Sequence, residues 1–315
     1  MSPTDPAVTP PDAPAPRPAD PPAAAAPPTP AEVVAQVVAH FGTAWSAHAD
    51  LVEAQLAPVD DVLLAHADLR PGEAVLDVGC GRGPTARRAA RRVGPGGRVA
   101  GVDVAAPLVA AAAAEPTPAV TWVTADASAD ELPGAPFDVV LSRFGTIFFA
   151  EPVPAMTHLA RHVRPGGRLA MAVWQERDRS EIMRRPLEVA ARVLGPLGIE
   201  AEVPPPDAGP FAWGDPAFVT DVLSAAGWVD VAVHPSRLAL HPGGAGCSPL
   251  DAATMWEALG PLTAYRDLDD EVRAAIRHAV ADDLAAPDGT ITRPLDAAVA
   301  VVTAATPPAD GSPRP

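Results

Sequence analysis

Hydrophobic spacing predicts helices at the start of the chain, followed by an alternating series of strands and helices. Apolar side chains recur at helical intervals at five early positions: Val33, Val34, Val37, Val38 and Phe41. A second helical stretch is predicted at residues 43–57, and Pro58 is expected to start a third, since proline suits a first helical turn. The third helix should end near residues 70–72, where Arg-Pro-Gly indicates a turn.

Short apolar segments then alternate with helical ones. The predicted strands are residues 74–79, 98–103, 120–125, 137–142 and 168–174, and the predicted helices between them are residues 84–93, 106–115 and 153–163. Strands separated by helices form parallel β-α-β units with right-handed crossovers. The pattern therefore predicts an α/β fold, a doubly wound sheet with helices on both faces.

The alternation stops after Trp174. A helix at 215–226 and a strand at 228–234 follow an irregular stretch. After them come a loop, further helices that include an amphipathic one at 269–285, and a last apolar strand at 297–305. We expect eight segments: a Pro/Ala-rich disordered tail (1–30), an N-terminal helical lid (31–70), the ligand-binding core (71–175), an insertion (176–212), a continuation of the core (213–235), a helical cap insertion (236–296), the last core strand (297–307) and a second disordered tail (308–315).

The composition narrows the class of protein. The 315 residues are 48% hydrophobic and 20% charged, which is enough to bury a core and excludes wholesale disorder. Acidic residues outnumber basic ones by 39 to 23, and the net charge of −16 disfavours a nucleic-acid partner, which needs a basic surface. Every basic residue is arginine, so mechanisms that need a lysine Schiff base or a P-loop lysine are excluded.

The cysteine count and the apolar segments bear on the compartment. Cys80 and Cys247 are too few for a disulfide framework, and they indicate a reduced, cytoplasmic protein. No secretory signal is visible, and no uninterrupted apolar stretch is long enough for a membrane span. The sequence does not indicate an oligomeric state.

The most informative segment is residues 75–84, Val-Leu-Asp-Val-Gly-Cys-Gly-Arg-Gly-Pro, which predicts a buried strand, a glycine-rich turn and the start of a helix. Gly79, Gly81 and Gly83 let the backbone bend sharply and approach a ligand closely. The helix N-terminus adds N–H donors and the positive end of its dipole. Asp103 ends the next predicted strand, where a carboxylate can accept hydrogen bonds from the ribose hydroxyls of a nucleoside.

A nicotinamide oxidoreductase uses a similar loop and is one alternative. Its G-x-G-x-x-G pattern, started at Gly79, needs a glycine at position 84, where this chain has Pro84. Asp77 inside the strand is also unusual for a dinucleotide site. It suits a ligand that carries a cationic amine and no pyrophosphate.

The segment resembles motif I of the class I S-adenosylmethionine (SAM)-dependent methyltransferases, and four further segments resemble the family in order. They are Gly-Val-Asp at 101–103, Thr-Ala-Asp-Ala at 124–127, Phe-Asp-Val-Val-Leu-Ser-Arg-Phe at 137–144 and Arg-Pro-Gly-Gly-Arg-Leu at 164–169. Within the family, Ser-Arg-Phe-Gly at 142–145, Gly-Pro-Phe-Ala at 209–212 and Leu-Gly-Pro-Leu at 259–262 resemble the ubiquinone/menaquinone-biosynthesis-like small-molecule methyltransferases. The resemblance implies a Rossmann-like sheet of seven strands with the last one antiparallel, a helical cap over the strand C-termini, and SAM as the cofactor.

The resemblance also implies roles for residues at matching positions. Those assigned to the cofactor are Asp77, Gly79, Cys80, Gly81, Gly83, Asp103, Val104, Asp126, Ala127, Ser142 and Arg143. Asp77, Gly79, Gly81 and Gly83 would shape the site for the methionine end, with Asp77 near the amino group, and Asp103 would bind the ribose. Asp126 would accept a hydrogen bond from the exocyclic amine of adenine. Ser142 and Arg143 would border the sulfonium and the methyl acceptor.

Several other residues allow a functional and a structural interpretation. Five aromatic residues are candidates for the wall of an apolar acceptor pocket: Phe41, Trp45, Phe144, Phe148 and Trp174. Packing in the core would explain each of them individually, whereas an acceptor pocket would explain the whole set. His48 and Arg143 are candidates for a catalytic role, although a single histidine on a helix is usually structural. His158 and His162 are spaced like a metal pair but lack the intervening carboxylate, so we expect no metal.

We therefore expect a SAM-dependent methyltransferase that acts on an O, N or C nucleophile of a small molecule, in specialised metabolism or quinone-like biosynthesis. Because the sulfonium is already a good leaving group, the protein should mainly supply positioning and exclusion of water. A general base is needed only where the acceptor must lose its proton early. The alternative from another class is a SAM-binding regulatory or scaffolding protein without methyl transfer.

Overall fold

The computed structural model describes residues 30–200 and 203–309, with side chains from residue 42 onwards. The tails predicted to be disordered lie outside this part of the chain, apart from residues 30, 308 and 309. Seven strands are described: β1 (Ala74–Val78), β2 (Arg98–Asp103), β3 (Val120–Thr124), β4 (Phe137–Arg143), β5 (Val163–Trp174), β6 (Val229–Leu240) and β7 (Leu295–Ala305). The main helices are α1 (Pro30–Ala67), α2 (Pro84–Val93), α3 (Ala106–Ala114), α4 (Pro152–Arg161), α5 (Glu181–Leu194), α6 (Pro216–Ala225), α7 (Pro249–Leu259) and α8 (Asp270–Leu284).

The described strands form one sheet in the order β3-β2-β1-β4-β5-β7-β6. β1 to β5 run parallel, whereas β7 is antiparallel to both β5 and β6. The strand order reverses after β1, so right-handed crossovers place helices on both faces. The central strands β1 and β4 are apolar runs buried along nearly their whole length, as expected of parallel strands covered on both sides. The expected doubly wound, Rossmann-like sheet with an antiparallel last strand is confirmed.

The prediction of three short helices before β1 is wrong, because α1 is a single helix of 38 residues. Pro58 lies inside this helix, where it removes one backbone N–H and its ring crowds the preceding turn. The helix continues because its buried face, which includes Leu56, Val59, Leu63 and Leu64, packs into the core. Tertiary packing of an apolar face outweighs the local effect of one proline.

The predicted end of the sixth strand at residue 234 is also wrong. β6 continues through Pro235 to Leu240 and stays paired with β7 over that length, with Pro235 opposite Ala300. Since β6 is the last strand of the sheet, Pro235 can sit where no partner strand needs its missing N–H. The segment predicted to be loop at 236–240 is therefore part of the sheet.

Helices α1 and α7 bring Trp45 and Trp256 to the same cavity as Phe144 and Trp174, which stand at the carboxyl ends of β4 and β5. Helix α1 packs against α7, and α7 packs against α8. The expected helical cap is thus present. Among the helices of the described chain, none combines the length and apolar character needed to cross a bilayer.

Candidate active site

The glycine-rich turn after β1 is fixed by backbone hydrogen bonds to the end of β2. The N–H groups of Gly79 and Cys80 both donate to the carbonyl of Val102, at 2.9 and 3.0 Å. Gly79, Gly81 and Gly83 adopt φ values of 71°, 55° and 88°, in the left-handed region that favours glycine. The turn therefore presents its backbone in a conformation that other residues rarely adopt.

Gly79 is also required by the close approach of a second loop. A Cβ atom at Gly79 would lie 2.6 Å from the Cα of Gly145, which follows β4. A Cβ at Gly145 would in turn lie 2.5 Å from the carbonyl oxygen of Val78. The loops after β1 and β4 thus touch backbone to backbone at the switch point, where ligands bind in open α/β sheets.

Asp103 closes the opposite side of this turn. Its Oδ2 accepts a hydrogen bond from the N–H of Gly81, and its Oδ1 accepts one from the N–H of Ala105, both at 2.9 Å. Burial raises the pKa of this carboxyl because its charge is desolvated. Asp103 is therefore held rigidly by two backbone donors while it still faces the cavity described next.

A cavity opens over the turns that follow β1, β2, β3 and β4. Its walls include eleven residues that the sequence assigns to the cofactor or the acceptor, namely Trp45, Gly79, Cys80, Gly81, Asp103, Val104, Asp126, Ala127, Arg143, Phe144 and Phe148. They also include residues that the sequence reasoning missed, among them Gly42, Leu56, Arg82, Ala105 and Leu108. Gly42 and Leu56 lie on α1 and could be recognised only once that helix was known to cover the sheet.

Asp126 lines this cavity but is partly committed to its own loop. Its Oδ1 accepts hydrogen bonds from the N–H of Ser128 at 2.8 Å and from the Ser128 hydroxyl at 2.6 Å. The neighbouring Ala127 is buried and forms a flat apolar part of the wall. The loop can thus present an apolar surface for a base, with the remaining lone pairs of Asp126 at its edge.

Three residues assigned to the cofactor do not form the wall of the cavity. Gly83 instead faces the indole of Trp122, whose Cη2 would lie 2.1 Å from an added Cβ. Ser142 is fully buried, where its hydroxyl donates to the Val78 carbonyl and accepts from the N–H groups of Gly145 and Thr146. In this geometry Gly83 and Ser142 hold the two loops in place, and their expected part in the cofactor site stays a prediction.

Asp77 is the third of these residues, and it lies beneath the turn. It is 1% exposed, and its Oδ2 has no hydrogen-bond partner among the described residues. Burial, reinforced by the negative charge of Asp60, raises the pKa of Asp77 to about 8, although the Arg143 guanidinium and the Ala86 N–H oppose the shift. Since Asp77 lies below the cavity wall, its expected position near the amino group of the methionine end stays a prediction.

A seam of acid–arginine pairs holds α1 against the core. Arg143 pairs with Asp60 of α1 at 3.2 Å, and both side chains are more than 90% buried. Arg82, on the glycine-rich turn, pairs with Asp50 at 2.8 Å and with Glu53 at 3.5 Å, and Asp50 is largely exposed. This seam places the candidate Arg143 at the cavity wall with its charge already partnered.

A second, larger cavity of about 680 Å³ lies next to the first. Trp45, Leu56, Phe144 and Phe148 line both cavities, so the two spaces meet at these side chains. Phe144 stacks on Trp174 with ring centroids 4.4 Å apart, and its φ of 64° places it in a strained backbone region. Four of the five aromatic residues expected to bind the acceptor thus converge here, whereas the side chain of Phe41 lies outside the described residues.

The other candidates have structural positions. His48 is half-buried on α1 and lines neither cavity. His158 lies within hydrogen-bonding distance of the Asp130 carbonyl at 2.8 Å, and His162 accepts from the N–H of Leu132. Over the described residues no cluster of three metal-ligating side chains occurs. Burial and nearby carboxyls raise the pKa of the Cys80 thiol well above its ordinary value, so that thiol is neutral.

The first cavity fits SAM on the chemistry of its donor set. Gly79 and Gly81 leave room for close approach of a ligand, since a Cβ at Gly81 would meet nothing within 4 Å. Asp103 offers carboxylate lone pairs beside this space, as ribose hydroxyls require, and Ala127 with Leu108 supplies an apolar wall for a base.

Comparisons with known proteins agree with this geometry. A family model described as a methyltransferase domain matches residues 75–167, and one described as mycolic acid cyclopropane synthetase matches residues 34–112. Nocamycin O-methyltransferase of Saccharothrix syringae is 35% identical over 268 residues, which cover 81% of this chain and 93% of that protein. Aklanonic acid methyltransferase of a Streptomyces species is 36% identical over 103 residues, which cover 31% of this chain and 47% of that protein.

Among solved structures, phosphoethanolamine N-methyltransferase 2 of Haemonchus contortus, in complex with S-adenosyl-L-methionine, is 15% identical with a TM-score of 0.46. That match covers 79% of this chain and 52% of the other. The similarity to the Saccharothrix protein extends along most of both chains. The chain therefore belongs to the class I SAM-dependent methyltransferases, an enzyme family whose methyl donor, SAM, is its cofactor.

Proposed function

We propose that this enzyme transfers the methyl group of SAM to an oxygen atom of a planar, largely apolar small molecule of specialised metabolism. The observation that carries the proposal is the second cavity, which meets the cofactor cavity at Trp45, Leu56, Phe144 and Phe148. A volume of about 680 Å³ lies within the range of small-molecule sites, and aromatic walls favour a flat conjugated ligand.

The relatives support oxygen as the methylated atom. The relative that matches along most of its length is named an O-methyltransferase, and a second relative is named for its action on aklanonic acid. These names favour an enzyme of specialised biosynthesis over the regulatory or scaffolding alternative.

The proposed division of roles follows from the walls of the two cavities. SAM supplies a methyl group activated by a positively charged sulfur. Gly79, Gly81 and Asp103 would hold the cofactor, together with Cys80, Val104, Asp126 and Ala127 around them. Arg143, partnered by Asp60, would border the junction with the acceptor cavity, and α1 would exclude water from it.

Among the side chains that the structure describes, no histidine lines either cavity, so we propose that positioning, and no histidine base, drives the transfer. Holding two reactants in line can be worth about 7–11 kcal/mol in favourable cases. An acidic enol or phenol that ionises on its own fits such a site, because it needs no base from the protein.

Three finer predictions stand on sequence patterns alone. Membership of the ubiquinone/menaquinone-biosynthesis-like group is supported by residues 142–145, 209–212 and 259–262. The acidic charge supports a protein without a nucleic-acid partner, and the cysteine usage supports a cytoplasmic one.

The test begins with calorimetric titration by SAM, by S-adenosylhomocysteine (SAH) and by NADH. We expect micromolar or tighter binding of both sulfur ligands and none of NADH. Transfer of radiolabelled methyl should then be screened over panels of phenols, enols, amines and carbon acids, with the Asp103→Ala variant as a control of low cofactor affinity. Transfer to amines alone would contradict the proposal, and so would a folded protein that binds neither sulfur ligand.

A further inference from the structure

The acceptor cavity contains one buried polar side chain among the described residues that line it, Gln55 of α1. Gln55 is 7% exposed, and its Oε1 accepts hydrogen bonds from the N–H of Gly243 at 3.0 Å and from Nε1 of Trp256 at 3.2 Å. Both partners are donors only, so the orientation of the side-chain amide is fixed. Oε1 faces the protein, and Nε2 is left on the cavity side.

The Nε2 group has no hydrogen-bond acceptor among the described residues. It lies against the cavity, whereas the unpartnered oxygen of Asp77 is enclosed by protein. An amide donor that faces an apolar cavity without a protein partner gains a hydrogen bond when a ligand places an acceptor beside it. An apolar cavity with one fixed donor therefore selects a ligand that brings an acceptor to that point.

The other polar side chains of this cavity are already partnered or lie at its mouth. Arg177 donates from its NH1 to the Pro204 carbonyl at 2.7 Å and from Nε to Asp178 at 3.0 Å. The Thr263 hydroxyl donates to the Gly260 carbonyl at 2.8 Å. Arg266 and Asp267 are 61% and 94% exposed, so they contact solvent.

We propose that Gln55 is a specificity-determining residue whose Nε2 donates a hydrogen bond to a carbonyl-type oxygen of a planar conjugated methyl acceptor. The inference rests on the proposed function, in which the second cavity holds the acceptor. Trp45, Phe148 and Trp256 supply aromatic surface around that donor, together with the stacked Phe144–Trp174 pair. An ammonium group at the same point would set donor against donor, so Gln55 disfavours acceptors that carry a protonated amine.

The test uses two probes of the same shape, 2-acetylnaphthalene and 2-isopropenylnaphthalene, which differ only in a C=O against a C=CH₂ group. Equilibrium dialysis in the presence of SAH measures the binding of each to the wild-type enzyme and to Gln55→Met. We expect the wild-type enzyme to prefer the ketone by about fivefold, the worth of one ordinary hydrogen bond. Gln55→Met should lose that preference, because a site without the donor gains nothing from the carbonyl.

The ratio of the two affinities separates recognition from structural damage, since loosened packing weakens both probes alike. Gln55→Asn, whose amide is one methylene shorter, is the second variant, and it should lose the preference too. The proposal is overturned if the wild-type enzyme shows no ketone preference, if it binds neither probe, or if Gln55→Met keeps the preference. Two further measurements separate this proposal from the proposed function. Titration with SAH tests the proposed function, and dialysis of the probes without SAH measures the ketone preference even in a protein that does not bind SAH.

Discussion

The buried carboxyl of Asp77 should make the stability of this enzyme fall as the pH rises. Asp77 is fully enclosed beneath the glycine-rich turn, and burial together with the charge of Asp60 raises its pKa to about 8. In the unfolded chain an aspartate has a pKa of about 3.9. Between these two values the native protein binds one proton more than the unfolded chain, so raising the pH favours unfolding.

The size of this effect follows from the proton difference. One proton contributes a slope of about −1.4 kcal/mol per pH unit to the free energy of unfolding, or about 4 kcal/mol between pH 5 and pH 8. Asparagine is nearly the same shape as the protonated carboxyl and cannot ionise. The Asp77→Asn variant should therefore lack this contribution and gain stability relative to the wild-type enzyme as the pH rises.

Urea unfolding of both proteins at pH 5, 6, 7 and 8 tests the prediction. The difference between their free energies of unfolding at each pH isolates Asp77, because all other titratable groups contribute to both proteins. Asp61→Asn serves as a matched control, because Asp61 lies on the same helix as Asp60 but is largely exposed. That control should keep the wild-type slope. Equal slopes for Asp77→Asn and the wild-type enzyme would refute the reasoning that Asp77 is protonated in the native state.

Three further substitutions test the site. Asp103→Ala should weaken SAH binding by about 1–3 kcal/mol in a calorimetric titration, since two cofactor hydroxyls lose a charged acceptor, and unchanged affinity would exclude the ribose role. Gly83→Ala should lower the free energy of unfolding by about 1–3 kcal/mol more than the control variant Gly72→Ala. Both glycines have a φ of 88°, but only Gly83 faces a side chain, that of Trp122. Equal losses of stability in urea unfolding would contradict this expectation. Ser142→Ala removes a hydroxyl that makes three hydrogen bonds, so it should reduce the free energy of unfolding by about 2–4 kcal/mol. The affinity for SAH should stay within about twofold of the wild-type value. A loss of affinity without a loss of stability would indicate that Ser142 contacts the cofactor directly.

The part of the fold that was predictable from the sequence is the part in which local pattern and tertiary position agree. β1 could be located because a parallel strand buried on both faces is largely apolar, with Asp77 as the exception here, and because glycines follow it. Asp103 could be assigned because it ends the next strand, and parallel strands bring their carboxyl ends to one edge of the sheet. These arguments need only residues that are close in sequence.

The rest depended on contacts between distant residues. The local sequence predicts a helix start at Pro58, but packing of α1 against the core allows that helix to continue through it. The local sequence also predicts a strand end before Pro235, but the edge position of β6 allows that strand to continue. Gln55 and Trp256 are 201 positions apart, so nothing near either one indicates that they meet. The walls of the acceptor cavity therefore become visible only in the folded chain.

The two ends of the acid–arginine seam should respond differently to dissolved salt. The pair of Asp60 with Arg143 is enclosed, so dissolved salt screens it weakly, whereas the pair of Arg82 with Asp50 faces solvent and is screened strongly. Added salt should therefore weaken the attachment of the part of α1 near Asp50 more than the attachment of the part near Asp60. Ionic strength thus distinguishes the two ends of the seam, although both join the same helix to the core.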